Sequence, residues 1–217
     1  MAKFAVIGLG SFGATVATQL IELGHDVIGI DSEKKYVENI SEQVTHAVIA
    51  DATDEHVLDE LNIKNCDAVV VAIGENIEAS ILCVLHLKNI GVEKIWVKAK
   101  SKSHHMILSH LGISKIIHPE EDMGVRIAQS LCYPMVSRYM ALEDNHYIVK
   151  IEIDEKLQGT RFRQLMDQAP DVKTLLHKRG KDVLYSIDPN LILQVGDILV
   201  VEGLVETLRR LSARFKS

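Results

Sequence analysis

Cysteine is scarce in this 217-residue chain: three residues, Cys66, Cys83 and Cys132, lie far apart, and no C-x-x-C pair occurs. Neither a disulfide framework nor a zinc knuckle is expected, and structural thiols in a reducing compartment are the simpler reading. Long apolar runs are missing too. No stretch of about eighteen apolar residues is present, so nothing is expected to span a bilayer. Lys3 and the apolar residues after it resemble a secretory signal only superficially, because a glycine pattern accounts for them better. An excess of basic charge is also lacking. The net charge is −6, with 12 basic and 18 acidic residues over 1–140 and 12 of each over 141–217. A nucleic-acid binder shows the opposite balance, so no nucleic-acid partner is expected. The P-loop, the nucleophile elbow G-x-S-x-G and the zinc motif H-E-x-x-H are all absent. None of the ten histidines falls in a recognisable catalytic or metal motif. His104, His105 and His110 cluster without an i, i+4 pair, which reads as surface positions on a helix rather than a metal site.

What is present is organised around residues 3–31. The apolar run Phe4 to Ile7 meets Gly8, Gly10 and Gly13 in the spacing G-x-G-x-x-G. A helical stretch from Ala14 to Leu23 follows, Gly24 stops it, and a second strand-like run ends in Asp31. Each piece has a physical role in a βαβ unit. Gly8 permits the tight turn off the strand, Gly10 lets a pyrophosphate approach the backbone, and Gly13 lets the helix pack close to the sheet. The free N–H groups of the helix then point at phosphates. Asp31, eighteen residues after Gly13, can accept hydrogen bonds from ribose hydroxyls, and an acid there disfavours a 2′-phosphate. A helix-initiating turn is its plainer alternative.

The alternation continues. Ser32 is a candidate N-cap for a polar helix, His46 to Ala50 reads as a third buried strand, and Thr53 can cap the helix after it. Asp67 to Gly74 is a fourth strand, Asn76 opens a long helix to Asn89, and KIWVKAK and KIIHP supply strands five and six. Six strands alternating with helices imply an α/β fold, a Rossmann-like doubly wound parallel sheet. An exit helix follows, with Val125, Ala128, Leu131 and Cys132 at helical spacing until Pro134, and Met135 to Met140 are expected to resume it. From Tyr147 the texture becomes β, with Gly196-Asp197 as a turn and VETLRRLSARF as a C-terminal amphipathic helix. The expected domains are 1–140, nucleotide-binding with the exit helix, and 141–217, a small α+β domain that would welcome a dimer partner.

Other site candidates lie at strand ends. Asp51 and Ala52 end the third strand beside the expected adenine position. Lys98 ends the fifth and could reach a phosphate, unless it is simply a solvated lysine. Glu120, Glu121 and Asp122 follow Pro119 at a helix start, where acids ordinarily complement the helix dipole; a hard cation is the other reading.

The order of parts, GLGSFG, Asp31, ADATD, VVVAIGEN, WVKAKS and IIHPEEDMG, then LQVGDILVVEG, resembles the regulators of potassium conductance. These carry TrkA-type N- and C-terminal domains, and the Ktr-type cytoplasmic subunits are the nearest pattern. The resemblance implies a non-enzymatic gating-ring subunit, cytoplasmic and peripheral to the inner face of the cell membrane. It implies a homodimer that assembles into a homo-octameric ring beneath a membrane potassium-transporting subunit. Ktr-type members bind ATP or ADP, whereas TrkA-type relatives bind NAD(H). Phosphate contacts would fall on Gly8, Gly10, Ser11, Phe12 and Gly13, and ribose and base contacts on Asp31, Asp51 and Ala52. Lys98 would lie near the nucleotide, and Glu120 would contribute to a divalent-cation or Na⁺ site at the dimer interface.

The chain departs from that pattern twice. ATP-favouring members carry arginine where this chain has neutral Ser11, which makes ADP, AMP or NAD more credible. The segment RFRQLMDQAPDVKTLL lacks a close match to the cyclic di-AMP motif of some relatives. Two competing functions remain: a small NAD-dependent oxidoreductase, for which no catalytic residue can be nominated, and a regulatory domain of a glutathione-gated efflux system.

Overall fold

The computed structural model describes residues 1–113, 115–132, 136–142, 145–167 and 169–213. Contacts divide the chain into two compact units, Met1–Asp122 and Met123–Ser217.

The first unit is a six-stranded parallel sheet built from β1 (Lys3–Ile7), β2 (Asp26–Asp31), β3 (His46–Ile49), β4 (Ala68–Val71), β5 (Ile95–Lys98) and β6 (Lys115–Ile117), in the order β3-β2-β1-β4-β5-β6. Between them run α1 (Ser11–Glu22), α2 (Lys34–Ile40), α3 (Glu55–Glu60), α4 (Ile77–Asn89) and α5 (Lys102–His110). The reversal of strand order falls between β1 and β4, where open α/β sheets bind ligands.

Strand alternation shows why both faces need helices. Ala5 and Ile7 of β1, Ile28 and Ile30 of β2, and Val69 and Val71 of β4 join one core cluster with Leu58, Val84, Leu87 and Leu108. The intervening Val6, Val27 and Val70 join another, with Ala17 of α1 and Val37 and Ile40 of α2. An uninterrupted apolar strand is what burial on both faces demands. Each such side chain contributes about 2 kcal/mol relative to exposure.

Several expectations change in detail. β3 is an edge strand, and its residues are half-buried or exposed rather than buried, because only one neighbour covers it. Helix α1 begins at Ser11, three residues before Ala14, since Gly10 already has the extended conformation of a cap position. Neither Ser32 nor Thr53 caps a helix. Glu33 precedes α2 without a side-chain cap. Asp54 caps α3 by accepting from the His56 N–H, while Thr53 is tied to Asp51 through its own N–H and hydroxyl. Asn76 does cap α4, accepting from the Ala79 N–H at 3.0 Å.

Helix α6 (Pro119–Cys132) is the expected exit helix, with Pro119 in its first turn, where a missing N–H costs nothing. The division between the units falls inside that helix. Residues 136–140 do not resume it. They belong to β7 (Val136–Ala141), which pairs antiparallel with β8 (His146–Glu152); Pro134 and Met135 lie outside the described residues.

The second unit adds α7 (Phe162–Met166), β9 (Lys173–Arg179), β10 (Asp182–Leu184), β11 (Ile198–Leu204) and α8 (Val205–Ala213). Its five-stranded sheet has the order β10-β9-β11-β8-β7, with antiparallel neighbours. Val149, Ile151, Leu193, Leu199, Val201 and Leu165 form its core. The expected turn at Gly196-Asp197 is present, with Gly196 at φ +85°.

Candidate functional site

The glycine turn at the end of β1 is interlocked with its surroundings. Gly8 has φ +91°, and a Cβ there would lie 2.9 Å from the carbonyl carbon of Ala72 and the nitrogen of Ile73. Its N–H donates to the Ile30 carbonyl at 2.8 Å. A Cβ on Gly13 would lie 1.8 Å from the Gly8 carbonyl oxygen, so no other residue fits with this packing. These two glycines are structural: they let α1 settle onto the turn.

Gly10 is different. It precedes α1 at φ −61°, a conformation open to any residue, and a Cβ there would meet nothing within 4 Å. The protein does not need glycine at this position for packing. Open space stands over the helix end, and no side chain caps α1. The first-turn N–H groups that every helix leaves unpaired, here at Ser11, Phe12 and Gly13, face an approach that a Cβ would narrow.

Asp31 anchors the turn from the next strand. Its Oδ2 accepts from the Leu9 N–H at 2.6 Å and its Oδ1 from the Glu33 N–H at 2.8 Å. Each oxygen keeps a second lone pair, so the half-buried carboxylate can hold the turn and still accept from a diol. Asp51 and Ala52 follow the neighbouring strand. Asp51 accepts at Oδ1 from the Thr53 N–H at 2.9 Å and its hydroxyl at 2.7 Å, and these bonds hold its carboxyl below the ordinary range. The Ala52 side chain is buried in the core, which leaves its backbone for any contact with a base.

Opposite, Lys98 at the end of β5 brings distant pieces together. Its ammonium lies 2.5 Å from Oε1 of Glu120 and 5.9 Å from the ring centre of Phe12, and a Cβ added at Gly74 would lie 3.4 Å from it. Only 15% of the lysine side chain is exposed, against 70% for Glu120. The solvated-lysine reading of Lys98 therefore does not hold. The hydrogen bond from Lys98 lowers the Glu120 pKa. Among the described residues no group of three or more His, Cys, Asp and Glu side chains could hold a metal.

The histidine cluster also departs from expectation. His104 is 1% exposed, so it is a core residue and not a surface one; its Nδ1 accepts from the Lys100 N–H at 3.2 Å. Burial, with the nearby His118 as a lesser cause, lowers its pKa. His105 instead meets His118, Nδ1 to Nε2 at 2.8 Å. In the second unit the sequence pattern gave Asp197 only as a turn residue and missed its pairing. It is 1% exposed and accepts from Arg179 Nε and Nη2 at 2.7 and 2.6 Å and from the Gln194 N–H at 2.9 Å, with His177 Nε2 3.2 Å away. Burial alone raises its pKa, but the guanidinium and the other donors bring it down to about 2. An Asp in a Gly-Asp turn gives no sign that an arginine eighteen residues earlier will pair with it.

The TrkA-N domain family matches residues 4–119, the segment that holds every group described at this rim except Glu120. The chain belongs to that family. Across nearly its full length it is also similar to the Ktr system potassium uptake protein A of Bacillus subtilis, 41% identical over 96% of this chain and 94% of that protein. With the TrkA-N match, this likeness supports a Ktr/TrkA-type regulatory subunit. Among solved structures it is similar to the GsuK RCK domain, with a TM-score of 0.64 and 14% identity; the alignment covers 98% of this chain and 47% of that one, so the chain spans about half its length. A second likeness is to the GsuK channel bound to NAD, TM-score 0.54 and 18% identity over 99% of this chain and 39% of that one. Both support the two-unit fold of the Ktr/TrkA-type subunit.

Proposed function

We propose that this Ktr/TrkA-type chain is a nucleotide-sensing regulatory subunit of a membrane potassium uptake system. The open approach at Gly10, over the uncapped end of α1, carries the reading, because nothing in the packing of the protein asks for glycine there. Asp31 on one side and Lys98 on the other supply an acceptor for ribose hydroxyls and a cation for phosphate. Gly8, Ser11, Phe12 and Gly13 would cradle the phosphates, and Asp51 and the Ala52 backbone would meet the base. No helix among the described residues is long and apolar enough to cross a membrane.

The ligand is an adenine nucleotide. Ser11 puts no charge at the helix start, so we favour ADP over ATP; NAD(H) is the second candidate, supported by Asp31 and by the likeness to the GsuK channel bound to NAD. The role is that of a binding module, not an enzyme. Ligand moves the gate only through different affinities for the states of a ring, here taken as a homo-octamer assembled from dimers of this chain. A divalent cation or Na⁺ at Glu120 needs further ligands from nucleotide phosphates or a second copy, since Lys98 already pairs with the carboxylate.

Titration calorimetry of the full chain with ATP, ADP, AMP, NAD⁺ and NADH tests this. Micromolar binding of ADP, weakened by Asp31→Ala, is expected. Tighter binding of NADH than ADP moves the ligand to NAD(H), and no heat with any of the five refutes the sensor.

A further inference from the structure

We infer that Glu120 sets how strongly nucleotide phosphate is held, by competing with it for the Lys98 ammonium. The inference rests on the nucleotide reading above and concerns regulation of that same site.

The geometry makes the two partners unequal. Lys98 is held at the end of β5, which pairs with β6 through Val97–Ile116 and Lys98–Ile117. Its side chain is mostly buried, with the Phe12 ring centre 5.9 Å from the ammonium. Phe12 belongs to the first turn of α1, directly after Gly10 and Ser11, so the ammonium lies beside the path a phosphate takes to the helix end. Glu120 is mostly exposed and sits in the first turn of α6, where water and the helix dipole stabilise its carboxylate when it is free. Exchange of partners therefore strands neither charge. The lysine stays, a phosphate bearing more negative charge takes it, and the carboxylate swings out to solvent.

Two consequences follow. Ligands lacking phosphate cannot take the lysine from Glu120, so the pair discriminates by phosphate. The released carboxylate lies two residues before the division between the two compact units, so occupancy of the site is recorded at the start of α6.

The test is calorimetry of the full chain with ADP and with adenosine, in a sodium-free buffer containing EDTA, so that neither a divalent cation nor Na⁺ bridges phosphate and carboxylate. An exposed partner held by one ion pair is worth about two- to fivefold in affinity. Glu120→Gln is accordingly expected to tighten ADP by that factor and leave adenosine unchanged. Lys98→Met is expected to weaken ADP about tenfold. The double variant decides the mechanism: with Lys98→Met in place, Glu120→Gln should add nothing. If wild type binds ADP but Glu120→Gln does not tighten it, or the gain persists without the lysine, competition is overturned while the nucleotide site stands. If wild type binds neither ADP nor any nucleotide of the panel above, both readings fall together.

Discussion

Gly10 and Gly13 belong to one motif yet should respond to alanine in opposite ways. At Gly10 the backbone is compatible with alanine and the added methyl meets open space. Loss of glycine at a cap position costs about 0.5 kcal/mol, and the stiffer unfolded chain returns a similar amount. Stability should therefore stay within about 0.5 kcal/mol, a shift in melting temperature of no more than about 2 °C. Binding is another matter. The methyl stands where phosphate approaches the first-turn N–H groups, and loss of one charge-assisted bond costs about 1.5–3 kcal/mol, or about 10- to 100-fold in ADP affinity. Gly13→Ala forces a carbon to within 1.8 Å of the Gly8 carbonyl oxygen, so α1 must lift from the turn. Overpacking of that kind costs about 3 kcal/mol, roughly 10 °C for a unit of this size. Trp96, the one tryptophan of the chain, lies in β5, so its fluorescence follows melting of the first unit alone. Calorimetry with ADP supplies the second readout. A Gly10→Ala protein that binds ADP within twofold of wild type refutes phosphate contact at this turn. A Gly13→Ala protein that melts with wild type refutes the interlock.

Two further outcomes concern pH. Asp197 has its pKa lowered to about 2, below the ordinary 3.8, so its stabilising effect is complete above about pH 4 and fades as pH falls toward 2. The shift is worth about 2 kcal/mol, about half of it gone by pH 3, and amide exchange of β8 and β11 should show this loss in wild type but not in Asp197→Asn. His104 has its folded pKa lowered by burial and by His118, so the unfolded chain takes up a proton first. Its contribution is present above about pH 6.5 and declines as pH falls below that. Urea melts read by Trp96 between pH 7.5 and 5.5 should therefore be flatter in His104→Leu, and an unchanged slope would refute the assignment.

Much of the first unit is legible because its signals are local. Alternation of apolar runs with helices, three glycines at fixed spacing and an acid at a strand end need no knowledge of the rest of the chain. The errors have a shared cause. Thr53 has the chemistry of a cap, but Asp51 two residues earlier takes both its donors, which leaves Asp54 to cap α3. Residues 136–140 fit a continued helix, yet they are drawn into a sheet by β8. His104 lies on the buried side of a short helix whose exposed neighbours include Met106 and Ile107, so polarity misled there. Asp197 and the pair Lys98–Glu120 depend on partners distant in sequence, and periodicity is blind to those.

The sheet order carries a consequence for biosynthesis. β1 is made first, but its neighbour β4 comes some sixty residues later, and the Lys3 N–H and carbonyl both await Asp67, the residue before that strand. Gly8 is likewise walled by Ala72 and Ile73. The glycine turn therefore cannot take its final shape as its own segment leaves the ribosome. It is completed only when the non-local strand β4 pairs with β1, the slow kind of event in folding. A nascent chain shorter than that has the whole fingerprint in its sequence and no place to put a ligand.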